Sequence, residues 1–415
     1  MSTGSNGNGP APYHDHLAEL GKELGDRGSQ GVMVMDASVL AGIETAYGSE
    51  AYEEVRQRLY TIFREQQGKD FRSEDLLTLD RPRGLRFILF LGRKRRRNVA
   101  ATLVDLRAMQ TRVSAALAPT LGRAAFPYLK TPPRIDVGFG MAVHNPLVHP
   151  ERIMGTAIRD AIRQSAHQRE GDYLMVRERL IDLLLRERII TAYQPIMDLR
   201  TRTVLGFEAL SRGARGSGLE AADSLFGAAE QHHLLVEVDR LCRRRALLNS
   251  GRIPSTAKIF VNTLPATIRD PQFRGKALID FLDKAQVAPN RIVIEITEKL
   301  VIENYTLFRE AMAYFTDLGM AFAVDDVGAG YSGLESIASL KPAYLKIDTV
   351  LVRDLHASLV NREMVRAIMA LGKGIGSTVI AEGIQQQDEV NALQDLGVSW
   401  GQGYLLARPD AGPPE

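Results

Sequence analysis

Cysteine is almost missing from these 415 residues. Cys242 is the single copy, so no intramolecular disulfide can form, and a reducing cytoplasm is the natural compartment. Net charge is nearly missing too: 52 Lys and Arg stand against 50 Asp and Glu, leaving +2. That balance gives no general attraction to polyanions, so neither DNA binding nor a membrane surface is expected, and any site for a phosphate must be local. Long apolar runs are missing as well. No stretch approaches membrane-spanning length, and the opening "MSTGSNGNGPAPY" is polar and Gly-rich, with no apolar segment behind a basic start. It reads as a disordered tail. What remains, 45% hydrophobic and 25% charged residues, is ordinary globular composition with room for two or three domains.

From about Ile190 to Pro409 short apolar strands alternate with amphipathic helices, the pattern of a parallel α/β fold. The first two strands, "IITAYQPIMDL" and "VLGFEALSR", are separated only by "RTRT". This is too little chain for a crossover, so they should pair as an antiparallel hairpin. Strand and helix pairs follow, beginning at "KIFVNTL", "RIVIEITE", "AFAVDDVG", "AYLKIDTVLV" and "TVIAEGI", and "GQGYLLARP" closes the series. Eight strands in this length predict one (β/α)8 barrel containing one antiparallel strand.

Polar residues concentrate where those strands end: Asn262, Glu295, Glu298, Asp325, Asp326, Lys346, Asp348, Glu382 and, close by, Gln402. Strand ends of a barrel converge on one face, where such folds build active sites. Glu208 and Arg212 are four apart on one strand and point to one side of it. The doubled acid in "FAVDDVGAGYSG" is the sharpest feature. Two carboxylates about 4 Å apart repel by roughly 4 kcal/mol at an effective dielectric near 20, so a partly buried pair needs a proton, a cationic side chain or a metal nearby, while an exposed pair is an ordinary solvated turn. Its chain neighbours offer no cation. Glu208, Asn262, Glu295 and Asp325, with Asp326 beside them, supply only oxygen ligands, which suits Mg²⁺ or Mn²⁺ rather than zinc. Such cations polarise a phosphoryl oxygen and activate water, and the planar fork of Arg212 suits a phosphate.

"FEALSR", "FVNTL", "IEITE", "VDDVGAGYSGL", "LKID", "IAEGI" and "GQGYLLARP" occur in the order and spacing of the EAL domain family, which this stretch, residues 174 to 410, resembles. The resemblance implies a phosphodiesterase that linearises cyclic di-GMP to pGpG, requires Mg²⁺ or Mn²⁺, is inhibited by calcium and forms a homodimer through this domain. It also implies roles. Glu208, Asn262, Glu295 and Asp325 correspond to metal ligands, and Asp326 to a ligand of a second metal. Lys346 corresponds to the lysine touching the attacking water, and Glu382 to the glutamate completing the metal and water network. Gln194, Arg212 and Gln402 correspond to substrate contacts, and Glu298 to the brace of the loop after Asp326. The departures are Val327, Ala329 and Gly333, where the family favours Phe, Thr and Ser, and Gln385 in place of a Glu. Val327 and Gly333 are expected to loosen that loop.

The amino-terminal part resembles GGDEF domains more faintly, through "VMVMDASVLAGIETAYGSEAYEEV", "RIDVGFGMAV" and "RIMGTAIRDAIRQSAHQREG". Asp36 corresponds to the first metal-binding Asp, but Glu44, Thr45 and Ser49 replace the residues that follow, and the signature hairpin reads "LDRPRGLRFILFL". The resemblance therefore implies a catalytically empty relative with a scaffolding or regulatory role. The expected organisation is a tail and short helix over 1–30, a degenerate GGDEF-like domain over 31–171, a connecting helix over 172–189 and the barrel over 190–410.

Competing readings stand beside these. A cyclic di-GMP receptor would keep the pocket without turnover, and a barrel lyase of the enolase type also carries strand-end acids and a lysine. "RKRRR" at 93–97 reads as a solvated basic turn, the His pairs at 14, 16 and 232, 233 lack partner ligands, and Cys242 reads as a packed helix residue.

Overall fold

The computed structural model describes residues 10–91, 102–129, 133–264, 267–268, 270–298, 305–328 and 334–410, with side chains from 309 in the helix that begins at 305. The basic run 93–97, Ala329 and Gly333 lie outside the described residues, as do residues 1–9 of the expected tail. The chain divides into two compact units, Met1–Met175 and Val176–Glu415.

The first unit is built on a four-stranded antiparallel sheet, β1 (Ser29–Asp36), β2 (Leu76–Leu79), β3 (Arg86–Phe90) and β4 (Asp136–Val143), in the order β2-β3-β1-β4. The two-residue period of a strand sends Met33, Met35, Phe87 and Leu89 to one face, where they meet Val55, Leu59, Phe63, Val113 and Leu117 of the helices Gly42–Glu65 and Leu103–Ala125. Val32, Val34, Ile88 and Phe90 go to the other face, against Leu20, Leu24, Met154, Ala157 and Ile158. Leu20 and Leu24 belong to the helix Leu17–Arg27, so this helix is part of the unit's core, and β1 already starts at Ser29. Gly138 and Gly140 let the helix Pro150–Leu185 lie directly on β4: a Cβ at these positions would fall 1.9 Å from Ala161 O and 2.1 Å from Ala157 O.

That helix runs through the expected boundary near residue 172 without interruption, and the division between the units falls inside it, after Met175. In the second unit Leu180 and Leu183 pack with Ile189, Leu219, Leu225 and Cys242.

The second unit is a closed eight-stranded barrel: β5 (Ile189–Asp198), β6 (Val204–Gly213), β7 (Lys258–Asn262), β8 (Ile292–Thr297), β9 (Ala321–Val327), β10 (Tyr344–Ile347), β11 (Thr378–Ala381) and β12 (Trp400–Gly401). β5 runs antiparallel to both β6 and β12, and the other pairs are parallel. Two predicted strands are shorter than their sequence suggested. β10 ends at Ile347 because Asp348 caps the helix Thr349–Val352, accepting from Val350 N at 2.6 Å. "GQGYLLARP" contributes only Gly401 to β12, since Leu406 N and Ala407 N both turn back onto Gly403 O.

The barrel interior is plugged by Ile196, Phe260, Val293, Ala323, Tyr344 and Ile380. Strand periodicity then fixes what comes next. Two residues beyond each of the last five, on the same inward face, stand Asn262, Glu295, Asp325, Lys346 and Glu382. An apolar floor thus carries a polar layer at the carboxyl ends of the parallel strands.

Candidate active site

At the centre of that layer is Lys346, fully buried, its ammonium surrounded by carboxylates from four other strands or strand ends. Nζ lies 3.2 Å from Glu208 Oε2, 2.8 Å from Glu295 Oε1, 3.3 Å from Asp325 Oδ1 and 2.6 Å from Glu382 Oε1. The cation that "FAVDDVGAGYSG" lacks locally comes from the neighbouring strand. Two amides complete the ring: Asn262 Nδ2 donates to Glu208 Oε1 at 3.1 Å, and Gln402 Nε2 donates to Glu208 Oε2 at 2.5 Å and to Glu382 Oε1 at 2.8 Å.

One lysine cannot neutralise four acids. Burial pushes Glu295 well above the ordinary carboxyl range, with Glu208 and Asp325 adding to the rise against the pull of Lys346. Glu382 is driven up in the same direction by burial and by Asp325. Glu208 goes the other way: burial opposes its charge, but Lys346, Gln402 and Asn262 together hold it below its usual value. Lys346 is held well above its own usual value because the acids around it outweigh burial. Asp326 is raised to about 6, by burial first and then by Asp325 and Asp348. Glu295 Oε2 is buried without a hydrogen-bond partner among the described residues. Excess negative charge, an orphaned carboxylate oxygen and all-oxygen donors fit a hard divalent cation. Oxygen atoms of Asp325, Asp326 and Glu382 lie within 4.8 Å of one another, close enough to share one ion.

Asp326 sits in the left-handed region, φ 57°, so the strand's regular alternation is broken at the doubled acid, and oxygen atoms of both side chains come within 4.8 Å of each other. The backbone here is anchored: Asp326 N donates to Asp325 Oδ1, Gly328 N to Glu298 Oε2 at 3.1 Å, and Asp348 N to Val327 O. Val327 is completely buried in the core around the barrel, and the loop it was expected to loosen continues through 329–333, outside the described residues.

The remaining residues singled out in the sequence lie around this centre. Gln194 faces Glu208 across the β5–β6 ladder, and its amide donates to Ala407 O at 3.0 Å. Arg212, half-buried, lines a cavity of about 250 Å³ together with Asn262, Glu295 and Thr297. The same cavity is lined by a charged group that sequence reasoning missed. Buried Arg243 lies 3.0 Å from Asp239 and 3.4 Å from Asp270, and Arg240 grips Asp270 through two hydrogen bonds. The spacing Asp239 to Arg243 within "VDRLCRRRALL" was the available signal, one helical turn on one face. Cys242, next to them, is buried and free, and burial pushes its thiol up to about 12.

The family model of the EAL domain matches residues 177–409, more than half of the chain. The chain belongs to the EAL domain family. Among curated relatives, the cyclic di-GMP phosphodiesterase PA2567 of Pseudomonas aeruginosa is 27% identical over 66% of this chain and 44% of its own. The signaling protein YkoW of Bacillus subtilis is 27% identical over 56% of this chain and 30% of its own. The chain thus spans less than half the length of the curated relatives it matches. Among solved structures, the Xanthomonas citri FimX EAL domain in complex with c-diGMP aligns with a TM-score of 0.54 and 22% identity, over 60% of this chain and 97% of that one. That likeness concerns the fold, and it agrees with the closed EAL barrel described above.

Proposed function

We propose that this EAL domain protein is a metal-dependent phosphodiesterase that opens cyclic di-GMP to linear pGpG. The observation that carries the reading is the surplus of buried acids around Lys346 at the barrel mouth, which a divalent cation would allow to stay ionised. The names of relatives support it: PA2567 is called a cyclic di-GMP phosphodiesterase, and the FimX EAL domain was solved with that nucleotide.

In this reading Glu208, Asn262, Glu295 and Asp325 hold Mg²⁺ or Mn²⁺, and Asp326 serves a second ion. Bound divalent metal would polarise the phosphate and lower the pKa of water. Lys346 and Glu382, 2.6 Å apart, orient the attacking water, whose oxygen bonds to phosphorus as the bond to one ribose 3′-oxygen breaks; the proton that the water gives up balances the one that the 3′-oxygen takes on leaving as a hydroxyl. Arg212 grips the phosphate from the side of the 250 Å³ cavity, Gln194 and Gln402 contact the nucleotide, and Glu298 braces the backbone after Asp326.

We assign residues 31–171 to a degenerate GGDEF-like domain without cyclase activity and 190–410 to the EAL barrel, joined through the helical segment 172–189. The state of Asp36 supports the first assignment: it accepts from Arg86 Nε at 3.1 Å and has Arg169 Nη2 at 3.7 Å, so guanidinium groups occupy the position a metal would need. A second copy of the chain is the partner we assign to an exposed apolar patch of Val350, Leu359, Val360 and Met364 on the barrel. Val360→Asp should then shift the protein to monomer in sedimentation. The buried single cysteine suits a cytoplasmic protein. No described helix is long and apolar enough to cross a membrane.

The test is incubation of the purified chain with cyclic di-GMP and Mg²⁺ or Mn²⁺, with products resolved by chromatography. Linear pGpG that disappears on chelation is expected. Tight nucleotide binding without product would instead make the protein a receptor.

A further inference from the structure

Glu382 has to stay beside Lys346, yet it stands just past a four-residue strand, where the chain leaves the regular ladder and is held on its β12 side by Ile384 N donating to Gln402 O. Its own amide donates to Ile347 O, and Gly383 lies so close to Thr349 that a Cβ would fall 2.2 Å from Oγ1. The segment after β11 therefore rests on the segment after β10, and something must hold the two together. Glu389 does so. This carboxylate is 1% exposed, and it accepts three backbone N–H groups: Oε2 takes Gln385 N at 2.7 Å and Gln386 N at 3.0 Å, and Oε1 takes Asp354 N at 3.2 Å.

Half of this arrangement is ordinary helix capping. Glu389 is the third residue of the helix Gln387–Asp395, and its bond to Gln386 N is the return half of a capping box. The bond to Asp354, 35 residues away in the chain, is not capping. Asp354 has φ 54° and starts the turn between the helices Thr349–Val352 and Leu359–Ile375, the first of which follows Lys346 and Asp348 directly. The two oxygens thus serve two strands: one fixes the chain leaving Glu382, the other the chain leaving Lys346.

We propose that Glu389 is a positioning residue for the reaction, a clasp that fixes the Glu382 segment against the Lys346 segment. The inference rests on the phosphodiesterase reading above. A side chain with two different ends separates the clasp from the cap. Glu389→Gln keeps one carbonyl oxygen for the helix N-terminus, where Gln caps as Glu does, but presents an NH₂ group to Asp354 N.

Three measurements on the full chain decide the matter. In metal-free protein, amide hydrogen exchange of a peptide covering residues 353–357 should quicken in Glu389→Gln, while residues 388–395 stay protected. In the presence of Mn²⁺, kcat for cyclic di-GMP should fall about 10-fold, the lower end of the range for residues that orient others at a metal site, with KM unchanged within about 2-fold. Val390→Ala, which removes buried volume beside the clasp, supplies the comparison: it should lower the melting temperature by more than Glu389→Gln does and leave kcat unaltered. Unchanged exchange at 353–357, or unchanged kcat, overturns the clasp, as does a loss of kcat in both variants that follows their loss of stability. An unaltered protein that makes no pGpG under any metal condition overturns the phosphodiesterase reading itself, and the positioning role falls with it.

Discussion

Each unit of this protein gathers acidic side chains at the ends of its strands, and the two sets differ in how they are paired. In the first unit Asp36 lies opposite Arg86 and Asp136 in the strand registers. Arg86 reaches Asp36 and Asp80, and Arg169 reaches Asp136 and Asp36. Three acids meet two guanidinium groups, and neither guanidinium is fully buried, so water screens what remains. In the barrel, four acids meet one ammonium with no exposure at all. Buried acids alone therefore do not mark a metal site. Unbalanced buried acids do, because the imbalance raises the free energy of the metal-free fold and leaves the ion to remove it.

The largest consequence is in turnover. Chelation, or Glu208→Gln, should lower pGpG formation by more than about a thousand-fold, the scale of several kcal/mol of lost transition-state stabilisation. Asp36→Asn should have no comparable effect. In the Glu208→Gln background, where product would survive, GTP should yield no cyclic di-GMP. Cyclic product there would break the comparison, since it would require metal at a site that arginines hold.

Next in size is metal-linked stability. Mn²⁺ at a hundred times its dissociation constant should stabilise the native protein by about 2.7 kcal/mol, measured as a shift in the urea midpoint. Glu295→Gln should shrink that shift, whereas Asp36→Asn should leave it intact. Equal shifts in both variants would mean that the ion sits elsewhere.

A smaller effect separates charge from packing. If the departure at Val327 had loosened the doubled-acid turn, Val327→Phe would tighten it and raise turnover. Val327 is already completely buried, and the adjacent Gly328 has Leu351 so close that a Cβ would fall 2.3 Å from Cδ1. The added ring should therefore cost about 1–3 kcal/mol by overpacking and bring no gain in kcat. A faster enzyme of unchanged stability would reverse that conclusion.

The barrel and its polar layer were legible because strand periodicity is local. Phe260 and Asn262, Val293 and Glu295, Tyr344 and Lys346 each read as floor and site in the order of the sequence. The pairing of charges was not legible, because it is set by which strands become neighbours in the closed sheet. Lys346 lies 138 residues from Glu208, and nothing in "LKID" announces four carboxylates around it. Glu389 was invisible for a related reason: in the sequence it looks like one more acid in the first turn of a helix, and only the approach of Asp354 gives its second oxygen a task. The uninterrupted helix through residue 172 escaped notice because its exposed stretch has no apolar face to extend.

The smallest predicted effect tests the arginine-paired cluster by pH. Burial opposes the charge on Asp36, but hydrogen bonds from Ser38, and then Arg86, hold its folded pKa below the usual carboxylate value. A carboxylate with a lowered folded pKa contributes stability that is fully present above its unfolded pKa, about 3.9, and is lost as pH falls through the lower folded value. Arg86→Met should therefore destabilise the protein at pH 7, by about 1 kcal/mol once the partial exposure of Arg86 is discounted. Below pH 4 the difference between variant and unaltered protein should narrow, as Asp36 becomes protonated in both. Mn²⁺ should not restore what Arg86→Met removes, because the neighbouring Arg169 still faces Asp36 at 3.7 Å. Restoration by Mn²⁺ would show that a single arginine separates this arginine-held pair from a working metal site, and the contrast between the two units would then be one of occupancy rather than of charge balance.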